Sequence, residues 1–240
     1  MPFVCLPFLA FLIACAPQEA EPEAAAPAAT ETAPEAPDDE AAPAAEMTDG
    51  ERANAEFEDA VSGQELLAAL RAGGHVIYFR HAQTERDYAD QADPNMSLDD
   101  CETQRKLSEA GMQDARDIGA AFEAKEIPIG RIVTSQYCRA WQTAELAFGR
   151  FDEQNPKLNF LPFEDYTEEQ VAEMKANVTP LLTDVPATGA NTILVGHDDL
   201  FEAATGIYPE PQGIAYVLTP DGEGSFSLVA NLLPSEWAQL

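Results

Sequence analysis

Two of the three histidines in this 240-residue chain stand at the ends of short apolar runs: His81 closes VIYFRH at 76–81, and His197 closes TILVGH at 192–197. Arg80 is next to the first of them, and a third run, RIVTSQYCRA at 131–140, carries Arg139 to the start of a helix-like stretch. A neutral imidazole offers a lone pair to an electrophile, whereas a guanidinium stays charged at any working pH and donates paired hydrogen bonds to an oxyanion. Two of each, brought from three strand ends to one pocket, suit a phosphate. His75, at the start of the first run, is read as structural and given no role.

The elements that must position these groups follow from the pattern. GQELLAALR at 63–71 has leucines at helical spacing and a Gly-Gly stop, and residues 75–81 form a first strand whose middle is apolar without alternation, as in a parallel sheet covered on both faces. After a polar excursion over 83–106, Ser108 is the expected N-cap of a helix with Met112, Ala115, Ile118 and Phe122 on one face. A second strand is expected near 131–134, followed by a helix from Tyr137 to Phe148 that Gly149 ends. Trp141, Phe122 and Phe148 read as helix core. An acidic start at 167–169 opens another helix that Pro180 should kink or stop; then come a third strand at 192–195, a short helix to about Ala204, and two strands at 214–219 and 225–231 around a turn-rich link. Strands alternating with helices predict an α/β class: a three-layer α/β/α sandwich with a largely parallel central sheet. In such sheets ligands bind beyond the carboxyl ends of the strands, where Arg80, His81 and His197 fall, and the helix amino terminus at Arg139 adds free N–H groups for an oxyanion.

Four strings, YFRHAQTE, LSEAGMQDARDIGAAF, TSQYCRAWQTAELAF and ILVGHDDL, occur in an order and context that resemble the histidine phosphatase superfamily, which includes phosphoglycerate mutases and histidine acid phosphatases. They spread over residues 75–205. The chain has Ala82 where that family has Gly after its Arg-His pair. The resemblance implies a phosphoglycerate mutase-like fold, His81 as the nucleophile that becomes phosphorylated, Arg80, Arg139 and His197 as phosphate-binding groups, and neither metal nor other cofactor. For the acid that protonates the leaving oxygen it offers two places: Asp198, directly after the second histidine as in the acid phosphatases, or Glu164, nearest to the position that mutases use. Asp198 is favoured; Asp165 and Asp199 stay open. The activity implied is hydrolysis of small phosphomonoesters, with a non-catalytic anion-binding protein or a protein phosphohistidine phosphatase as alternatives.

The rest of the chain bounds where this happens. Residues 1–15 are apolar, too short to span a bilayer comfortably, and end in Leu-Ile-Ala-Cys, which resembles a bacterial lipobox with Cys15 as the lipidated residue. A signal peptide at 1–15, an Ala/Pro/Glu-rich disordered tether at 16–62 and a phosphatase domain at 63–240 are therefore expected, in an envelope lipoprotein that faces the periplasm and meets membrane only through its anchor. Residues 16–62 hold fourteen Asp plus Glu against one Arg, which leaves −17 of the total −30 on the domain. That surface disfavours nucleic acid, so an anionic substrate needs a local cationic pocket. Arg86, Arg105 and Lys106 in the excursion either grip a remote anion or lie solvated. In an oxidising envelope Cys101 and Cys138 are expected to pair, the alternative being two free thiols.

Overall fold

The computed structural model describes residues 47–85, 90, 94–162 and 165–240. The expected export segment with Cys15, residues 16–46 of the tether, Arg86 and Glu164 lie outside the described residues.

Among the described residues, strands β1 (Val76–Arg80), β2 (Ile129–Thr134), β3 (Glu153–Gln154), β4 (Asn191–Gly196), β5 (Ala215–Pro220) and β6 (Phe226–Leu232) form one sheet in the order β3-β2-β4-β1-β5-β6. The first four are parallel; β5 runs antiparallel to β1, and β6 antiparallel to β5. The predicted class is therefore observed, with the two carboxyl-terminal strands forming the antiparallel margin.

Side-chain alternation divides the core between two faces. Ile77, Phe79, Ile132, Ile193 and Val195 point to one face and pack on α2 (Gly63–Ala72), α3 (Glu109–Ala124) and α4 (Cys138–Phe148). Val76, Tyr78, Val133 and Leu194 point to the other, against α5 (Glu168–Leu182) and α6 (Asp198–Thr205). Every residue of β1 and β4 is buried, which is why neither run shows alternating polarity. Phe122 lies in the first core, with Phe148 packed against it; Trp141 is half-buried beside Phe151.

Local signals place the elements. Ser108 Oγ accepts the Gly111 N–H as N-cap of α3, and Gly149 closes α4 in the left-handed conformation that glycine adopts without strain. Pro180 does not stop α5: the helix continues to Leu182, because Val178 and Leu182 are both fully buried and the packing outweighs one missing N–H.

Regular structure is present within the stretch expected to be tether. Residues 49–55 form α1 (Asp49–Ala55), opened by a capping box between Thr48 and Glu51. This segment is seated on the domain: Gly50 O accepts the Tyr208 N–H at 3.0 Å, Asn54 Nδ2 donates to Glu210 O at 2.8 Å, and Phe57 packs edge-on against Tyr216. A window dominated by Ala and Glu masks the few anchors, Phe57 and Val61, that hold it.

Cys101 and Cys138 are joined by a disulfide, the pairing expected from the sequence. It ties the polar excursion to the first turn of α4 across 37 residues of chain. Closing a loop of that length removes on the order of 3–4 kcal/mol of unfolded-state entropy. Replacing both cysteines by Ser should lower the unfolding free energy by about that amount in urea titration; an unchanged midpoint would reject the bridge as a stabilising link.

Candidate active site

The helices after β1 and β4 depart to opposite faces of the sheet, so the crevice at the carboxyl ends of these neighbouring strands is a topological switch point. Arg80 pairs with Gly196 in register, so the next residues, His81 and His197, emerge side by side. Their ring centres are 5.4 Å apart, and both side chains are buried. Tyr78, one turn of the pleat below, donates its hydroxyl to His197 O at 2.7 Å and accepts the His197 N–H at 3.0 Å, which fixes the backbone of that residue. A side chain at Gly196 would collide with this hydroxyl at 2.4 Å, so glycine is needed there.

The hydrogen bonds assign both tautomers. His81 Nδ1 lies 2.9 Å from Ala82 O, an acceptor, so Nδ1 carries the proton and Nε2 keeps a lone pair. Arg139 Nε donates to that lone pair at 3.0 Å. Asn159 Oδ1 accepts the Gln136 N–H at 2.9 Å and the Ser135 hydroxyl proton at 2.8 Å, leaving Ser135 Oγ to accept from His197 Nε2 at 2.8 Å. His197 Nδ1 is then bare and faces Arg139 Nη2 at 3.5 Å. Burial, then the Arg139 charge, pushes the pKa of both imidazoles well below the usual histidine value. Two neutral rings thus present lone pairs to one guanidinium.

That guanidinium is held from every side. Arg139 Nη1 meets Asp90 Oδ2 at 2.7 Å, and its carbon lies over the rings of Tyr137 and Phe160 at 4.8 and 5.5 Å. Arg80 is directed to the other rim: it pairs with Asp198 at 2.7 Å and donates to Pro209 O at 3.0 Å and Tyr208 Oη at 3.3 Å. Its Nε is buried with no partner among the described residues. The expected N–H groups at the start of α4 are not all free, because Gln104 Oε1 from the excursion caps Cys138 N–H at 2.9 Å. Ala82, in place of glycine, tucks its methyl against Leu107 and Ala115 and leaves its carbonyl to His81.

Of the acids considered, Asp198 reaches the site through Arg80. Asp199 follows it on α6, and burial, then the neighbouring Asp198 charge, pushes its pKa up to about 7. Asp165 is exposed. Arg105 Nη2 donates to Thr84 Oγ1 at 2.7 Å, and its charge bears on both imidazoles; Lys106 is solvent-facing and paired with Glu102. His75 lies at the far end of β1, bonded to Thr219 Oγ1 at 3.0 Å.

Residues 76–182 match the family model described as histidine phosphatase superfamily, branch 1. This segment, under half of the chain, is similar to that superfamily. The match ends before β4, so His197 enters the site through the strand register and not through the matched segment. No curated protein matches the chain. Among solved structures, a protein histidine phosphatase SixA complexed with tungstate is similar at 18% identity and a TM-score of 0.49, covering 68% of this chain and 98% of that one. A phosphohistidine phosphatase SixA described from Agrobacterium tumefaciens has 21% identity, a TM-score of 0.41 and coverages of 67% and 99%. A phosphoserine phosphatase variant from Entamoeba histolytica, in complex with phosphoserine, has 13% identity, a TM-score of 0.48 and coverages of 65% and 95%.

In this site the sequence left three supporting residues unread. Asp90 is one of several acids in a polar stretch, Asn159 one polar residue in a loop, and Ser135, though inside a matching string, has no pattern that marks it as the partner of a ring nitrogen. Nitrogen-15 NMR at pH 6.5 should find both rings neutral and in opposite tautomers, the proton on Nδ1 of His81 and on Nε2 of His197. Equal, averaged nitrogen shifts for the two rings would overturn the assignment.

Proposed function

We propose that the protein hydrolyses small phosphomonoesters without a metal, through a phosphohistidine on His81. The observation that carries this reading is the His81 tautomer: its Nε2 lone pair is exposed to the cationic centre while Nδ1–H is anchored to Ala82 O. In the first step Nε2 bonds to phosphorus as the P–O bond to the leaving alcohol breaks, and that oxygen takes a proton. In the second, water adds to phosphorus and gives a proton back to the Asp198–Asp199 pair, the P–N bond breaks with its electron pair returning to His81 Nε2, and inorganic phosphate departs. Arg139, Arg80 through its Nε, and His197 stabilise the charge on the phosphoryl oxygens.

The proton comes from the Asp198–Asp199 pair. Asp198 is paired with Arg80, and Asp199, hydrogen-bonded to Asp198 and beside Tyr166, Glu202 and Lys175, holds a proton up to about pH 7. Asp198 delivers it and Asp199 resupplies it. A donor must be protonated and a nucleophile bare, so activity is expected below about pH 7, failing above it, and persisting on the acid side well below the usual histidine pKa.

Hydrolysis is favoured over mutase action because a mutase must be reloaded by a bisphosphorylated sugar acid, a cytoplasmic metabolite, and the chain reads as exported. We infer in the same way that Cys15 anchors it to an envelope membrane by lipid, its domain facing the periplasm. With EDTA present, wild type should hydrolyse p-nitrophenyl phosphate with an optimum between about pH 5 and 7, and His81→Ala should lose on the order of 10³-fold or more. Equal rates for the two, or an alkaline optimum, would refute the mechanism. Palmitate labelling of the full chain should vanish in Cys15→Ala; label retained in that variant would remove the anchor.

A further inference from the structure

We propose that Asp90 is the positioning residue on which Arg139 pivots during phosphoryl transfer, an inference that rests on the function proposed above. Asp90 and Arg139 are 1% and 2% exposed, and they meet at 2.7 Å. The carboxylate is itself fixed, since Oδ1 accepts the Arg105 N–H at 2.8 Å. Arg139 therefore has three directed contacts of unequal kind: Nε on His81, Nη2 on His197 and Nη1 on Asp90. Only the last is to a formal charge.

Bond formation at His81 makes that inequality matter. The lone pair that becomes the P–N bond is the one now accepting from Arg139 Nε, so this hydrogen bond must break before transfer. The Nε–H and Nη2–H then turn from ring nitrogens to phosphoryl oxygens. Nη1 need not move, and Asp90 holds the planar group in place while its other edge changes partners. Asp90 does not touch the phosphoryl group; as an anion it would repel it. Its placement depends on the excursion, which also caps α4 through Gln104 and is bonded to the neighbouring Cys138 by the disulfide.

The test uses the folded protein carrying Asp90→Asn, which keeps the shape and removes the charge, and Asp90→Ser, a smaller neutral side chain that can still accept from Arg105. Each is assayed below its own melting temperature. Both should lower kcat for p-nitrophenyl phosphate by about 10- to 100-fold while moving KM by less than about threefold, because aim and not ground-state binding is lost. In an Arg139→Lys background the same changes should cost less than about twofold, since a lysine has no fork to aim. Wild-type kcat in both variants, or a full additive loss in the lysine background, would overturn the proposal.

A wild-type protein with no His81-dependent turnover would instead overturn the function proposed above. Asp90 would then be judged by orthovanadate titration alone. Affinity weakened by at least about tenfold in the Asp90 variants, and not further in the lysine background, supports the pivot; unchanged affinity rejects it.

Discussion

Everything at the carboxyl end of this sheet is organised around one buried guanidinium. Arg139 has no access to water and must find its partners inside the protein, and it finds two lone pairs and one carboxylate. Leaving such a group unpaired in the interior costs several kcal/mol, typically about 3–5 when one partner of a buried pair is deleted. The two imidazoles are kept neutral by burial first and then by the same charge, which penalises a second cation beside it. A bare lone pair on His81 Nε2 thus follows from burial together with the placement of Arg139.

The fold supplies that placement by register. Parallel pairing of Arg80 with Gly196 makes both histidines neighbours, and pairing of Thr134 with Val195 brings Ser135 beneath His197 and starts α4 at the right height. Tyr78, buried in β1, completes the arrangement from below by bonding both backbone groups of His197. A one-residue slip in β4 would turn its side chains to the opposite faces and break this geometry, which the burial on both faces prevents.

What the sequence reveals follows from this division of labour. Strand-end histidines and the helix caps at Ser108 and Gly149 depend on local pattern, and they are legible because a run such as ILVGH carries its own boundary. Asp90, Gln104 and Asn159 act through contacts made far away in sequence, where no periodicity distinguishes a buried polar side chain from a solvated one. Pro180 and the segment before Gly63 mislead for the converse reason: local composition argues for a break and for disorder, and burial of Leu182 and Phe57 decides otherwise. The amino terminus of α4 is similar, since the residue that caps it lies in the excursion and not in the preceding turn.

The pairing of both arginines with carboxylates bears on turnover in a chain of net charge −30. Arg80 and Arg139 each bring a positive charge to the crevice and meet a carboxylate there, Asp198 and Asp90. On the proposed function, guanidiniums offset in this way would draw a phosphomonoester through the surrounding negative field without holding inorganic phosphate as tightly as unpaired ones. A phosphate dianion bound there would counter the Arg139 charge that, after burial, lowers the pKa of His197, and would so favour a proton on that ring. His197 can then enter neutral and act as a cation in transfer, with Ser135 and Asn159 keeping its ring aimed in both states. On the proposed function the carboxylates would serve product release as the guanidiniums serve binding, and one without the other would give a site that captures phosphate or ignores it.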